Sequence, residues 1–325
     1  MPKLFIIGNG FDLAHGFKTK YKDFKDWIEK QLPVPDPIGV LPPDVIFGNH
    51  GEKESDYIEG LKLLKELFDS NPFIGDDWCD FENSLAYLDL ESKYSECMKF
   101  SLTDEEQFSS LAIPIGEDYA YAIKYAIEKI PDYFLDWVIS IDISNPNGKV
   151  KIRREFLPDD IFLTFNYTEV LEKIYGINKE NICHIHGDRT DIGTKIVVGH
   201  GDNCDNLDFA SIDVIDAKIA LEESVELLQK KHNYNMYTHE NFLERIDSSI
   251  TDIYTYGWSF GNSDKLYLES IVRRIKGGKN VVWHLSDRDN VDKLNEIMII
   301  LSNAGFKGKI TTYDHSCDSI SKKLF

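Results

Sequence analysis

What the 325-residue chain lacks narrows its chemistry first. Its five cysteines, Cys79, Cys97, Cys183, Cys204 and Cys317, are scattered, with no C-x-x-C pair among them. That spacing excludes the usual zinc ribbon and argues against a disulfide framework, so a reducing cytoplasm is the expected setting. No apolar run approaches the roughly 18 residues needed to cross a bilayer. The opening MPKLFIIGNG carries too short an apolar run for a signal peptide. Base is also scarce: 36 Lys and Arg face 56 Asp and Glu, for a formal net charge of −20. Such a chain repels phosphate backbones and anionic lipid, so neither general nucleic-acid binding nor membrane attachment is expected. No repeat or low-complexity tract is visible. What the chain does have is 42% hydrophobic and 12% aromatic residues, enough to bury a large core and to exclude wholesale disorder.

The acid is unevenly placed. Residues 1–50 hold six acidic and six basic residues, whereas residues 51–150 hold 22 acidic and 8 basic ones. The acidic stretch also has helical spacing, over 55–69, 80–99 and 117–139. It is preceded by a Pro- and Gly-rich stretch (Pro33, Pro35, Pro37, Gly39, Pro42, Pro43) and followed by the turn signal Ser144-Asn145-Pro146-Asn147-Gly148. On either side, short apolar runs alternate with helical stretches. Strands are expected at Leu4–Ile7, Ile161–Phe165, Ile182–Ile185, Ile196–Val198, Ile253–Tyr256, Val281–Leu285 and Lys309–Thr312. Helices are expected at about 21–31, 169–176, 213–231, 239–248, 263–276 and 289–304. Continuous apolar strands separated by helices belong to a parallel sheet covered on both faces. The fold expected is therefore α/β: a Rossmann-like core from 1–50 and 151–325, interrupted by an acidic helical insertion at 51–150.

Four motifs lie at expected strand ends. The first is Gly8-Asn9-Gly10-Phe11-Asp12, a turn of the kind that cradles a pyrophosphate. Its third glycine position holds Leu13, and an ordinary tight turn explains it as well. The second is Leu163-Thr164-Phe165-Asn166-Tyr167-Thr168, followed by Leu171 and Glu172. Thr168 suits a helix N-cap, whereas Asn166 offers a donor and an acceptor to a ligand. The third is His184-Ile185-His186-Gly187-Asp188. On one strand 184 and 186 would share a face, and a histidine titrating near neutrality suits a general base. Two such histidines, with Asp188 and His200, also raise a metal-site alternative. The fourth is Tyr256-Gly257-Trp258-Ser259-Phe260-Gly261-Asn262-Ser263-Asp264, where Ser263 could cap a helix with Asp264 favourable at its positive end, and the turn's backbone N–H groups and Ser259 could bind a nucleotide phosphate or ribose. In the insertion, Trp78, Asp80, Phe81 and Glu82 read as a helix start with an aromatic anchor. Glu82 reaching the ligand site is the functional alternative.

Taken in order, GNGFDLAHG, FNYTEVLE, HIHG and YGWSFGNSD resemble the AbiH family of abortive-infection antiphage proteins over nearly the whole chain. The same series is similar to a divergent sirtuin-like nucleotide-binding domain. That resemblance implies NAD phosphates at Gly8, Asn9, Gly10, Phe11 and Asp12. It implies the nicotinamide ribose at Thr164 and Asn166, a catalytic histidine at His186, and the adenosine half at Gly257, Ser259 and Asp264. The match has departures. Thr168 stands where the sirtuin-like pattern has Asp, residue 9 is Asn where sirtuins carry a small residue, and the four zinc cysteines of the deacylases are absent.

Three functions follow as expectations. One is NAD glycohydrolysis, in which Asn166 positions ribose and water, His186 acts as base, and Asp12 or Glu82 orients or stabilises charge. A second is a metal-dependent phosphoesterase or nuclease built on His184, His186, Asp188 and His200. A third is a non-catalytic nucleotide sensor whose acidic insertion contacts a phage or host protein. The first and third imply NAD or a related nucleotide as ligand and no metal; a homo-oligomer stays open.

Overall fold

The computed structural model describes residues 2–32, 45–47, 53–55, 57–71, 78–101, 112–146, 156–190, 196–201, 209–286 and 291–313. The Pro- and Gly-rich stretch from Pro33 to Pro43, and Asn147 and Gly148 of the predicted turn, lie outside them. In chain order the elements are β1 (Lys3–Ile7), α1 (Asn9–Ala14), α2 (Tyr21–Gln31), β2 (Val45–Phe47), β3 (Lys53–Ser55), α3 (Tyr57–Ser70), α4 (Trp78–Ser84), α5 (Leu90–Ser101), α6 (Ala112–Glu128) and α7 (Ile130–Ser140). There follow β4 (Ile161–Thr164), α8 (Val170–Tyr175), β5 (Ile182–His184), α9 (Ile215–Leu227), α10 (His232–Thr238), α11 (Glu240–Leu243), β6 (Asp252–Tyr256), α12 (Lys265–Arg274), β7 (Val282–Ser286), α13 (Val291–Asn303) and β8 (Lys309–Tyr313). Two compact units result: Met1–Lys20, Val138–Val197 and Lys231–Phe325 form the first, and Tyr21–Trp137 with Val198–Lys230 the second. The sequence drew its insertion at 51–150; α2 and α9 also group with those helices.

The first unit is built on a six-stranded, all-parallel sheet in the order β5-β4-β1-β6-β7-β8. Counted along the chain, these strands run 3-2-1-4-5-6, the doubly wound Rossmann order, which reverses direction between β1 and β6. Ligands of such sheets bind outside the carboxyl ends at that reversal. Ile7 pairs with Thr164 on one side and Tyr256 on the other, so the chain leaves β1, β4 and β6 at one level.

The inner strands β1 and β4 are buried on both faces, which is why they are almost wholly apolar. Leu4, Ile6, Leu163, Ile253 and Trp283 enter one core with Leu268 and Ile271 of α12 and Leu301 of α13. The alternate residues form a ladder of rings across four strands. Phe162 stacks on Phe5 at 4.9 Å, Phe5 on Tyr254 at 5.2 Å, and Tyr254 on His284 at 4.1 Å.

Two expected helices are split. The 117–139 stretch breaks between α6 and α7, where Pro131 lacks the N–H that would continue the ladder. The 80–99 stretch breaks at Leu88, whose backbone is extended (φ −65°, ψ 125°). Ile196–Val198 is not a strand: Val197 only donates to the His186 carbonyl at 2.9 Å and accepts from the Tyr167 hydroxyl at 2.9 Å. Among the described residues no helix is long and apolar enough to cross a membrane.

In the second unit α6 packs along α9, α3 and α5. Its aromatic core includes Tyr21 stacked on Phe81 at 4.2 Å and Phe24 edge-on to Phe134 at 5.3 Å. Phe81 is thus an anchor, as its place in the sequence suggested. Glu82 beside it, 8% exposed, is held by the fully buried Lys230 ammonium at 2.7 Å.

Candidate functional site

The switch point is closed by glycine backbone. Gly8 N–H donates to the Tyr256 carbonyl at 2.9 Å and Gly10 N–H to the Gly257 carbonyl at 2.9 Å. Gly257 lies at φ +66°, and a Cβ on it would come within 2.4 Å of the Phe11 nitrogen. A Cβ on Gly8 or Gly10 would come within 2.6 Å of Gly257 or Trp258 backbone. These three glycines are therefore required by the close approach of the two loops. Phe11 N–H bonds to the Gly8 carbonyl at 2.9 Å, so the amides of Gly8, Gly10 and Phe11 all have backbone acceptors. The Phe11 ring is core, edge-on to Tyr256 at 5.3 Å. Asn9 turns its side chain to the Thr19 carbonyl at 2.7 Å.

Asp12, in the same turn, is 1% exposed. One of its oxygens accepts from Asn166 Nδ2 at 2.8 Å and the other from Thr168 Oγ1 at 2.5 Å. Burial lifts its carboxyl to about 7, against the opposing pull of these two hydrogen bonds and of the His184 and Arg189 charges. Thr168 is therefore not the N-cap of α8; Glu169 occupies that position and makes no side-chain cap bond. Glu169 instead pairs with Arg189 at 2.6 Å, and Arg189 also donates to the Val138 and Ile141 carbonyls at the end of α7. Thr164 is likewise internal to the network, its hydroxyl accepting from Asn166 N–H at 3.1 Å.

His184 and His186 do different things. His184 closes β5 and donates from Nδ1 to the Asn166 carbonyl at 2.8 Å and from Nε2 to Glu172 at 3.0 Å. Only an imidazolium donates to two acceptors. Burial would lower its pKa, but the Glu172 hydrogen bond and charge outweigh that and raise it. His186 lies past the strand, in a turn, so strand alternation does not put it beside His184. Its ring is enclosed by Phe165 at 5.2 Å and Tyr267 at 5.5 Å, with Nε2 3.7 Å from Asp264.

Asp264 sits at the N-cap position of α12 without capping it, since its carboxylate accepts from Trp258 Nε1 at 3.1 Å. Ser263 is not the cap either, and its carbonyl faces His232 Nε2 at 2.6 Å. Ser259 is half-buried in the same turn, beside Phe260, a non-glycine residue at φ 56°. Trp258 stacks on Phe165 at 5.0 Å, joining this turn to the Asn166 segment.

Asp12, Thr164, Asn166 and Thr168 thus form one cluster, which His184 and Glu172 extend. His186, Asp264 and Trp258 form its neighbour on the Phe165 ring. Two acceptors of the first cluster, Asn166 Oδ1 and Glu172 Oε2, are buried without a hydrogen-bond partner. Glu172 already shares its charge with His184; Asn166 Oδ1 has no such compensation. Such an acceptor suits a donor from water or from a ligand. The metal alternative gains nothing here: Asp188 accepts from Thr190 N–H at 2.7 Å, and no three His, Cys, Asp or Glu among the described residues are grouped to hold an ion. Asn235 was missed by sequence reasoning. From α10 it donates to the Ile185 carbonyl and to the Tyr267 hydroxyl at 2.8 Å, pinning the His186 turn. Glu172 stands in the sequence only as part of a motif, and no spacing rule ties a residue of α8 to His184 on β5.

Residues 4–287 match a family model described as Bacteriophage abortive infection AbiH. No curated protein and no solved structure matches the chain.

Proposed function

This chain belongs to the AbiH family of bacteriophage abortive-infection proteins, whose membership implies an antiphage role, and from that premise we propose that its switch-point residues bind NAD and hydrolyse the nicotinamide–ribose bond. One observation carries the reading. Asn166 Oδ1 is a buried acceptor without a partner, just past the carboxyl end of a strand beside the topological switch point. A ribose hydroxyl or an ordered water is the donor it suits. Water attacks the ribose C1′ as the C1′–N bond breaks. Nicotinamide leaves with the bonding pair as a neutral base, and the water's proton passes to His186. Positive charge develops on the ribose, and the Asp12 and Asp264 carboxylates favour it. With the Gly8, Gly10 and Phe11 amides engaged and the Asn9 side chain turned to Thr19, phosphate contact falls to Ser259 and the Asn9 main chain.

Free NAD hydrolysis would kill the host, so the activity is held back until infection, with a phage or host protein as the trigger and the cytoplasm as the site of action. The test is incubation with NAD, with and without phage lysate, followed by chromatography. Nicotinamide and ADP-ribose are expected from the wild type and not from His186→Ala or Asn166→Ala. No product under either condition, or full activity in His186→Ala, overturns the reading. A second reading, nucleotide sensing without turnover, is favoured by the enclosure of His186 between Phe165 and Tyr267 with Nε2 facing Asp264. It predicts NAD binding by calorimetry and no product.

A further inference from the structure

We propose that Asp12 is a positioning residue that fixes which end of the Asn166 amide meets the ligand, so that this site accepts only a hydrogen-bond donor. The inference deepens the NAD reading and rests on it for the identity of the ligand. A carboxamide has two ends of nearly equal shape and opposite hydrogen-bonding sense. Nothing in an asparagine itself decides which end points where. At position 166 the neighbour decides. Asp12 bonds Nδ2 at 2.8 Å and takes the Thr168 hydroxyl on its other oxygen, and in its ionised form, the one that prevails at pH 8, it has no proton to offer Oδ1. In that form the amino group must face Asp12, and Oδ1, itself buried, is left as the unpaired, open end of the amide. The Asn166 main chain is held from both sides, by Thr164 Oγ1 on its N–H and by His184 Nδ1 on its carbonyl. The side chain is thus free to answer only to residue 12.

The consequence is a switch of sense on isosteric substitution. In Asp12→Asn, Thr168 still donates to a carbonyl oxygen at position 12, which turns the new amino group toward Asn166. Asn166 then rotates its amide, and its open end becomes a donor. Exchanging the two residues, Asp12→Asn with Asn166→Asp, restores an acceptor at the open end with the same total charge. A purely structural role for Asp12 predicts instead that binding follows thermal stability across the four proteins.

The experiment measures NAD binding by calorimetry at pH 8 for the wild type, Asp12→Asn, Asn166→Asp and the double exchange, each first checked for cooperative thermal unfolding. Asp12→Asn should bind about tenfold to a hundredfold more weakly, the cost of opposing two donors in a buried site. The double exchange should return to within about threefold of the wild type. Wild-type affinity in Asp12→Asn, or no recovery in the exchange, overturns the inference and leaves the NAD reading intact. If the wild type binds no NAD, that reading fails separately, and selective ¹⁵N-Asn labelling decides this one. An Asn166 NH₂ signal that is exchange-protected, and whose shift follows the titration of Asp12, supports the positioning role. A freely exchanging signal indifferent to pH overturns it.

Discussion

Glu82 and Asp12 are both carboxylates taken out of water, and the two units treat them in opposite ways. In the second unit Glu82 meets a cation: the Lys230 ammonium, itself fully buried, stands 2.7 Å from it. In the first, Asp12 is bonded by an amide and a hydroxyl, and the nearest positive groups, His184 and Arg189, act on it only through space. A buried charge needs either a counter-charge or a reason to be uncompensated. Glu82 has the first, and its place is structural. Asp12 has the second, since neutral donors leave it able to gain or lose a proton near neutrality and to dictate the amide beside it. Groups perturbed in this manner gather at functional sites.

The sharpest way to break the contrast is at Lys230. Lys230→Met keeps the stem and removes the ammonium, leaving the Glu82 charge in place without it. The expected loss is about 3–5 kcal/mol in urea unfolding. The double variant Glu82→Leu with Lys230→Met should recover most of it, because a pair replaced by apolar groups is often neutral. A single-variant loss below about 1 kcal/mol would make Glu82 no better compensated than Asp12.

Asp12 should show the opposite behaviour with pH. Its carboxyl rises from 3.8 to about 7 on folding. The native state therefore binds the extra proton, and the stability this provides is complete below about pH 4 and lost as pH rises through about 7. A rise of that size corresponds to about 4 kcal/mol. The raised pKa of His184 acts in the same direction, while the lowered values of Asp188, Glu169 and Asp252 act only on the acid side. The difference between wild type and Asp12→Asn isolates the one group. Asp12→Asn should gain on the wild type between pH 5 and 8, becoming more stable where it binds ligand worse. Parallel stability curves would remove Asp12 from the comparison.

The sequence made one half of this contrast readable and hid the other. Leu4–Ile7 and Val281–Leu285 announce buried parallel strands because only His284 interrupts their apolar run. The Gly8–Asp12 and Asn166 segments announce themselves because both fall at strand ends. What composition cannot carry is that residues 12 and 166, separated by 154 positions, share a hydrogen bond. Nor can it tell that Thr168 serves Asp12 instead of capping its own helix, since a threonine before a helix suits either role. The same limit applied to Asp264, where the capping position and the Trp258 bond compete for one carboxylate. Asn235 had no signal at all: it lies on α10, in a stretch without apolar period, and acts through a carbonyl 50 residues away.

Asp12 keeps its burial only while α1 starts against the late turn, and Gly257→Ala tests that dependence. The added Cβ would meet the Phe11 nitrogen at 2.4 Å and Gly10 Cα at 2.5 Å, on a backbone at φ +66°. About 3 kcal/mol of stability should be lost. As α1 lifts, Asp12 should also regain water, so its titration falls from about 7 toward the ordinary carboxylate range. Stability loss without that fall would show that the hydrogen bonds alone hold Asp12.

The smallest expected effect comes from Glu172, and it asks how much of Asp12's behaviour is burial and how much is neighbouring charge. Glu172→Gln leaves His184 a hydrogen-bond partner and takes away its counter-charge, at a cost of roughly 1.5 kcal/mol. His184 has a folded pKa raised above its ordinary 6.5. Its contribution is therefore whole below 6.5 and is lost as pH rises through the folded value, so the variant should differ most from the wild type on the acid side of neutrality. Two titrations should then move in NMR. His184 should fall, having lost the interaction that raised it. Asp12 should rise further, because the imidazolium that had been lowering it is neutral over more of the pH range. A fall at His184 with Asp12 unmoved would assign the raised Asp12 titration to desolvation alone. It would also make the contrast with Glu82 one of solvent and counter-ion, with no share for the histidine.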